Sequence, residues 1–247
     1  TLPADHTLSL GLLGMHGARA TNLAMAECDL LIAVGARFDD RATGLASAFC
    51  PLARVLHIDI DPREMGRLRG VEVALVGDAR RVLDKLAERV RPQRRPAWRE
   101  RIRRLEAVHG PCRTDGAVPE GPARLIRRVA ELAGPDAIIT TDVGKHQMWV
   151  AQAYPFSRPG QLLTSGGLGT MGFGLPAAIG AALACPGRRV VCFSGDGSLQ
   201  MNIQELATAV EQQLDLTIVL LNNQSLGLVR QQQRLFFGER CYASAYA

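Results

Sequence analysis

Short apolar runs alternate with amphipathic segments along most of the chain. Three runs in the first third, 29–35, 54–61 and 71–78, are rich in Leu, Ile and Val, and each ends in a Gly or an acidic residue. Runs of this kind are typical of buried strands in a parallel sheet. The segment 79–90 instead spaces its apolar residues at helical intervals. The pattern therefore predicts a doubly wound α/β fold.

Between 91 and about 121 the chain becomes rich in Arg and Pro and loses its apolar periodicity. A second alternating series follows. It predicts a helix over 121–134, a strand over 136–144, a strand, Gly-rich loop and helix over 161–187, and a strand over 188–197. We therefore predict two α/β domains with doubly wound parallel sheets, over 1–91 and 121–247, with a linker over 92–120.

The last part of this series carries the most informative pattern. An apolar strand leads into Gly-Asp-Gly at 195–197, a helix follows, and the next apolar strand stops at two asparagines, 222 and 223. The helical spacing predicts that three apolar residues face the sheet: Ile203, Leu206 and Val210. Since a βαβ crossover brings the carboxyl ends of both strands to one sheet edge, we expect Asp196 and Asn223 to lie close together.

A carboxylate and an amide oxygen at such an edge form half of a Mg²⁺ site, because Mg²⁺ takes oxygen ligands in octahedral geometry and shares them with phosphates and water. The neighbouring glycines expose backbone N–H groups that suit a diphosphate. The alternative is structural: Asp196 caps a helix, and Asn222 and Asn223 only form a turn. The paired strand ends favour the metal site.

Composition narrows the function classes. Hydrophobic residues make up 47% and charged residues 21%, and the net charge of +5 is concentrated in 89–104. This basic run has no interleaved aromatic motif, so a solvated helix or linker is favoured over nucleic-acid binding. The six cysteines show no metal-binding spacing, and no apolar run has membrane-spanning length. With no signal peptide, these features favour a cytoplasmic protein that does not bind membranes.

Several longer motifs resemble one family, the large catalytic subunits of acetolactate synthase. The spacing of Gly-Asp-Gly and Asn-Asn is similar to a thiamin diphosphate motif, and 140–159, 163–183 and 193–209 resemble that family's thiamin-binding domain. The segments "LGMHG", "VGARFDDRATG" and "HIDIDPREMG" resemble its middle, FAD-binding domain, and "LVRQQQRLFF" resembles the bacterial isozyme-I type. The resemblance implies decarboxylation of pyruvate and condensation with a second 2-keto acid, in branched-chain amino-acid biosynthesis.

The resemblance implies a set of residues for thiamin diphosphate and its metal. The metal would be held by Asp196, Asn223 and the backbone carbonyl of Ser225. The cofactor would contact Gly144, Lys145, His146, Gly169, Met171, Gly197 and Ser198. Lys145 departs from the family, which usually has Gln there, and an added positive charge beside a diphosphate is electrostatically compatible.

The resemblance implies a second set of residues for FAD. These are Met15, His16, Gly17, Gly35, Arg37, Asp39, Arg41, Asp59, Ile60, Gly77 and Asp78. Acidic residues at strand ends suit ribose hydroxyls, and an arginine suits a phosphate. Without the resemblance, "DDR" is typical of a surface salt bridge, and no GxGxxG motif is present.

The family also implies substrates and partners. Gln232 stands where many relatives have a tryptophan that shapes the second-substrate pocket, which favours a weak preference for 2-ketobutyrate over pyruvate. The family further implies a homodimer or tetramer of large subunits and allows for a small regulatory subunit. Its activating glutamate lies in a preceding domain, so no catalytic side chain is expected within these residues.

Both ends of the chain resemble cuts in a longer protein, and we expect no appreciable synthase activity from the 247 residues alone. Two rival classes stay open at the level of sequence. One is another thiamin diphosphate enzyme, such as a glyoxylate carboligase or a pyruvate oxidase. The other is a truncated, non-catalytic remnant.

Overall fold

The computed structural model describes residues 2–110, 112 and 119–246. The chain divides into two compact units, one formed by the described residues of 10–117 and the other by those of 1–9 and 118–247. Each unit contains a parallel sheet with helices, so the predicted α/β class is confirmed. No helix among the described residues is long and apolar enough to cross a membrane.

The first unit is built on a parallel sheet in the order β1-β2-β3. Its strands are β1 (Leu30–Val34), β2 (Arg54–Asp59) and β3 (Val73–Val76), and its helices are α1 (Arg19–Glu27), α2 (Asp40–Thr43), α3 (Ala79–Ala87) and α4 (Pro96–His109). Short 3-10 turns cover Ala46–Ala48 and Pro62–Glu64. One face of the sheet packs around Ala33, Phe38 and Val55.

The opposite face of β1 is not buried as the apolar run predicts. Leu30, Ile32 and Val34 are 41–50% exposed, whereas Ala33 is 6% exposed. Because successive side chains of a strand point to opposite faces, these three residues share one face. The expectation of a strand buried on both faces is therefore wrong for β1 within the described residues.

The segment expected to act as a linker contains a helix that packs within the first unit. Leu105 of α4 is 4% exposed and clusters with Ala20 and Ala24 of α1. An ion pair of 2.6 Å joins Arg101 to Glu27 across the same pair of helices. The basic run of 89–104 is thus partly a helix with one buried stripe, which its apolar spacing did not reveal.

The second unit is built on a parallel sheet in the order β5-β4-β6-β7. The strands are β4 (Ile138–Thr141), β5 (Leu162–Thr164), β6 (Val190–Gly195) and β7 (Leu216–Leu221). The helices are α5 (Glu120–Ala133), α6 (Lys145–Ala153), α7 (Gly174–Ala184), α8 (Asp196–Met201), α9 (Glu205–Glu211) and α10 (Gly227–Phe236). Strand β6 is buried along its whole length, and α7 and α6 pack against it on two clusters of apolar side chains.

The helix between β6 and β7 differs from the predicted one. It is broken into α8 and α9, and Ile203 lies in the break, where it is 48% exposed. Val210 is 77% exposed, whereas Leu206 and Ala209 pack against Leu175. The prediction that Ile203 and Val210 face the sheet is therefore wrong: Ile203 lies in the break, and the packed side of α9 runs through Leu206 and Ala209 rather than through Val210.

Candidate cofactor and metal site

The carboxyl ends of β4, β6 and β7 form one edge of the second sheet. In the register of the parallel pair, Gly195 at the end of β6 is opposite Leu221 at the end of β7. The next residues along the chain are Asp196 and Asn222, so the structure places the two predicted strand tips side by side. The backbone N–H of Asn223 lies 3.5 Å from Oδ1 of Asp196.

The asparagine segment is a tight turn whose side chains are partly used. Asn222 Oδ1 accepts a hydrogen bond from the Gln224 N–H at 2.9 Å, and Asn223 Oδ1 accepts from the Ser225 N–H at 3.1 Å. Gln224 has a positive φ of 53°. The turn that the structural alternative predicts is thus present. The Ser225 hydroxyl also donates to Asn223 Oδ1 at 3.1 Å. Because a hydroxyl can rotate to another acceptor, a metal ion can take its place on this oxygen while the backbone turn is kept.

Asp196 is the first residue of α8 and does not cap it, because no side chain caps the N-terminus of this helix. Among the described residues, its carboxylate makes a single hydrogen-bond contact, at 3.5 Å to the Asn223 N–H. Those residues contain no group of three His, Cys, Asp or Glu side chains that could hold a metal. A cation at this edge would therefore take one carboxylate with amide and backbone carbonyl oxygens, which suits Mg²⁺.

His146, on the first turn of α6, lies buried beneath two glycines. The residue is 4% exposed. A Cβ on Gly144 would lie 2.8 Å from its ring at a φ of 155°, so only glycine fits there. A Cβ on Gly195 would lie 3.0 Å from the ring, which is a tight contact. Burial lowers the pKa of His146 to about 4, against the opposing effect of Asp142, so the ring is neutral near pH 7.

The Nε2 atom of this neutral ring has no hydrogen-bond partner in the described part of the chain. Buried polar atoms almost always have a partner, so an orphaned nitrogen at a sheet edge is a sign of an absent ligand or water. The two glycines let the ring lie against the backbone. The orphaned nitrogen fits a bound polar group at this site.

The cleft at this edge brings together all the residues that the resemblance implied for thiamin diphosphate and its metal. The Lys145 side chain runs along Gly227, and a Cβ added to Gly227 would lie 3.0 Å from it. Lys145 makes no ion pair with a described residue. The remaining predicted residues in the lining are Gly144, His146, Gly169, Met171, Asp196, Gly197, Ser198, Asn223 and Ser225. Gln232 lies on α10, exposed, and is not part of the lining.

Sequence reasoning missed Asp142, which anchors the Gly-rich loop to the end of β4. Its carboxylate is 1% exposed and accepts hydrogen bonds from the N–H groups of Val143, Gly172 and Gly174 at 2.7, 2.9 and 2.8 Å. An acidic residue directly after the strand "IITT" was the available signal. The loop that carries Gly169 and Met171 is therefore held to the sheet by one buried carboxylate.

In the first unit, the residues implied for FAD lie around the carboxyl ends of β1, β2 and β3. Gly35, Asp59 and Gly77 lie at these three ends, and the Met15 N–H donates to the Arg41 carbonyl at 2.8 Å. Around them are Ile60 and Met15, both more than half exposed, and Arg37, which makes no ion pair with a described residue. The remaining members are His16, Gly17, Asp39 and Asp78.

The acidic members of this set are already used by the local backbone. Asp39 accepts from Ala42 N–H at 3.3 Å and caps α2, and Asp78 accepts from Arg81 N–H at 3.0 Å and caps α3. The Asp59 Oδ1 accepts from Asp61 N–H at 2.9 Å. The buried His57 lies two residues before Asp59 on β2. Both of its ring nitrogens lack a hydrogen-bond partner among the described residues, and its Nε2 is 3.9 Å from the Asp59 carboxylate.

Burial, with a smaller contribution from the positive charge of Arg41, lowers the pKa of His16. The imidazole is therefore neutral near pH 7, so it would contact a bound nucleotide as a hydrogen-bonding group rather than as a cation.

Two family profiles match the chain. Residues 1–86 match the central domain of thiamine pyrophosphate enzymes, and residues 142–246 match their C-terminal TPP binding domain, where TPP and thiamin diphosphate are the same molecule. The second range contains every residue that lines the cleft described above. The two profiles agree with the two parallel sheets of the structure.

The chain is also similar to curated proteins. It is 56% identical over 246 residues to the acetolactate synthase isozyme 1 large subunit of Escherichia coli, and 52% identical to the isozyme 2 large subunit of the same organism. It is 44% identical to a probable acetolactate synthase large subunit of Methanocaldococcus jannaschii. These matches cover 99%, 96% and 96% of this chain, and 44%, 43% and 42% of the relatives.

The chain thus spans less than half the length of these relatives while almost all of it aligns with them. The resemblance that its motifs indicate is confirmed. The chain belongs to the thiamine pyrophosphate enzyme family and is a homologue of acetolactate synthase large subunits.

Proposed function

We propose that this chain is the cofactor-binding part of the catalytic subunit of an acetolactate synthase, a transferase of branched-chain amino-acid biosynthesis. The observation that carries the proposal is the cleft at the β4-β6-β7 edge, where a carboxylate with no close partner, the Lys145 side chain and an orphaned buried imidazole nitrogen meet. Each of these features suits a metal-bound diphosphate.

In this proposal Asp196, Asn223 and the Ser225 carbonyl hold Mg²⁺, which in turn holds the diphosphate of thiamin diphosphate. The N–H groups of Gly197 and Ser198 and the ammonium of Lys145 add hydrogen bonds and positive charge. Met171 supports the bent form of the cofactor from the apolar side. When bound, thiamin diphosphate supplies the electron sink for the decarboxylation of a 2-keto acid.

The proposed substrates are pyruvate and, as alternative acceptor, 2-ketobutyrate. Gln232 is proposed as an acceptor-selecting residue because it lies on α10, the helix that begins at the lining residue Gly227. Glutamine offers no large apolar surface to the extra methylene of 2-ketobutyrate, so we propose a weak preference for this acceptor.

FAD is proposed as a second cofactor, at the carboxyl edge of the first sheet. Arg37 is free to bind a phosphate, and the exposed Met15 and Ile60 offer apolar surface to a flat ring. An FAD titration followed by flavin fluorescence tests this. Arg37→Ala should weaken binding about tenfold, as for loss of a charge-assisted hydrogen bond. Binding at unchanged affinity would remove Arg37 from the site.

Assembly and location complete the proposal. We propose a homodimer or tetramer of catalytic subunits, with a small regulatory subunit as a further partner, in the cytoplasm. All six cysteines are free thiols, which suits a reducing compartment. Sedimentation of the full-length gene product, with and without a co-expressed small subunit, checks the assembly.

Product analysis distinguishes this function from its rivals. The full-length protein with thiamin diphosphate and Mg²⁺ is supplied with pyruvate or with glyoxylate, and products are identified by mass. Acetolactate from pyruvate is the expected result. A glyoxylate-derived product, or acetyl phosphate or acetate formed with oxygen consumption, would replace acetolactate synthase by a carboligase or an oxidase. Absence of thiamin diphosphate binding would leave a non-catalytic remnant.

A further inference from the structure

A short C-terminal segment, Tyr242–Tyr246, folds back on the turn that carries two of the proposed metal ligands. Ser225 and Ala245 form an isolated antiparallel bridge. The Leu226 N–H donates to the Ser244 carbonyl at 2.9 Å, and the Tyr246 N–H donates to the Gln224 carbonyl at 2.9 Å. The segment is therefore bonded on both sides of Ser225.

This pattern determines where the Ser225 carbonyl points. The two bonds join the neighbours of the Ser225–Ala245 pair, so the pair itself is of the non-hydrogen-bonded type. In such a pair the N–H and C=O of each residue point away from the opposite strand. The Ser225 N–H indeed bonds to Asn223 Oδ1 instead, at 3.1 Å. The Ser225 carbonyl is thus turned away from the C-terminal segment, and Ser225 lines the cleft.

The same segment also contacts the strand tip that carries Asp196. A Cβ added to Gly197 would collide with the hydroxyl of Tyr246, and it would lie 3.0 Å from Cδ2 of Leu226. The Tyr246 hydroxyl therefore lies against the backbone of the residue that directly follows Asp196. The segment therefore touches both ligand-bearing loops.

One side chain fastens the segment to the rest of the unit. Gln233 of α10 donates from Nε2 to the Tyr242 carbonyl at 2.9 Å, and its Oε1 accepts from the Ser244 hydroxyl at 2.7 Å. Ser244 is 2% exposed. Both ends of the Gln233 amide are thus used on the C-terminal segment, and Gln233 itself is not part of the cleft lining.

We propose that Tyr242–Tyr246 is a positioning strand for the metal-binding turn and that Gln233 is the positioning residue that holds it. The inference rests on the proposed function, because it assigns the Ser225 carbonyl to a divalent cation. Gln233 acts at a distance: it accepts a hydrogen bond from the Ser244 hydroxyl, and the Ser244 carbonyl accepts one from the Leu226 N–H. Because that N–H and the Ser225 carbonyl belong to the same peptide plane, the second bond fixes the direction of the carbonyl. Loosening the segment frees that carbonyl to rotate and weakens the metal site.

The test measures metal binding in the full-length protein, with Mn²⁺ followed by electron paramagnetic resonance in the presence of thiamin diphosphate. Gln233→Ala should raise the Mn²⁺ dissociation constant about tenfold, as for loss of an outer-shell partner. Gln231→Ala is the matched control and should bind like the parent, because Gln231 lies on the same helix and its side chain makes no hydrogen bond to a described residue. The Leu226 amide should exchange its hydrogen faster in Gln233→Ala than in Gln231→Ala.

A folded Gln233→Ala variant with the parental Mn²⁺ affinity would overturn the inference. If this variant does not fold, Ser244→Ala replaces it: weakened Mn²⁺ binding supports the inference, and parental binding overturns it. Asp196→Ala separates this outcome from failure of the proposed function. If Asp196→Ala binds Mn²⁺ like the parent, the proposed metal site itself is wrong. If Asp196→Ala binds Mn²⁺ weakly and Gln233→Ala binds it like the parent, only the positioning role is removed.

Discussion

The acidic residues at the carboxyl edges of the two sheets differ in whether backbone N–H groups already bind their carboxylates. In the first unit Asp39, Asp59 and Asp78 each accept a backbone N–H from a residue two or three positions further along the chain. In the second unit Asp142 likewise accepts three backbone N–H groups, but Asp196 has one long contact, to a residue 27 positions away. An acidic residue at a strand end is thus a stronger ligand candidate when the local backbone does not already use it.

The difference extends to the histidines of the two units. His146 lies at the second edge, buried under Gly144 and Gly195, with Nε2 unpartnered. His57 is also buried and unpartnered, but it lies inside β2 and faces Phe38, with ring centroids 5.1 Å apart. Of these two histidines, His146 belongs to the lining of the cleft at the second edge, and this supports thiamin diphosphate binding more directly than FAD binding.

The largest expected effect is on the second edge. Asp196→Ala should weaken Mn²⁺ binding by at least about a hundredfold, because even outer-shell partners are worth 10–100-fold. The equivalent change in the first unit, Asp78→Ala, should leave Mn²⁺ binding unchanged. Titration of both variants measures this contrast. Equal Mn²⁺ affinity in the two variants would contradict the comparison between the edges.

The buried imidazole predicts a pH effect on stability. Burial lowers the pKa of His146 to about 4 in the folded state, below its ordinary value of 6.5, so the unfolded state binds the proton first as the pH falls. Stability should therefore be lost between about pH 6.5 and pH 4, by about 3 kcal/mol. Urea unfolding of the parent and of His146→Gln across this range isolates the contribution. Parallel pH profiles would show that His146 does not carry it.

Asp142→Asn should lower the free energy of unfolding by about 2 kcal/mol, since one amide oxygen cannot replace two carboxylate oxygens that accept buried N–H groups. The change should also weaken thiamin diphosphate binding, because the loop of Gly169 and Met171 loses its anchor. Urea unfolding and cofactor titration measure the two effects. Asp136→Asn serves as control, because Asp136 is exposed and its ion pair with Arg158 lies at the surface. Unchanged stability would show that the anchor is dispensable.

The smallest effect is expected at the first edge. Asp78→Ala removes the N-cap of α3 and should cost about 1 kcal/mol of unfolding free energy. Asp78→Asn, which keeps a capping oxygen, should recover most of the loss. Thermal unfolding of the pair measures both. A larger change in FAD affinity than in stability would show that Asp78 binds ligand in addition to capping.

Much of the fold and of the site was predictable from local patterns. Apolar runs located the strands, and the two strand tips at Asp196 and Asn223 follow from the handedness of a βαβ unit. The break between α8 and α9 was not predictable, since Ile203 and Val210 have the spacing of an unbroken helix. The packing of α4 on α1 was also missed, because its arginines conceal a narrow apolar stripe that includes Leu105.

By itself the sequence determined the fold class, the strand ends and the residue types that a metal-bound diphosphate requires, because these depend on periodicity and on short-range turn chemistry. Only the tertiary structure decided which polar groups stay unused. The orphaned His146 nitrogen, the Asp142 anchor and the strand that orients Ser225 all depend on contacts between segments far apart in the chain. Such contacts form when the sheet is assembled, so no local pattern encodes them.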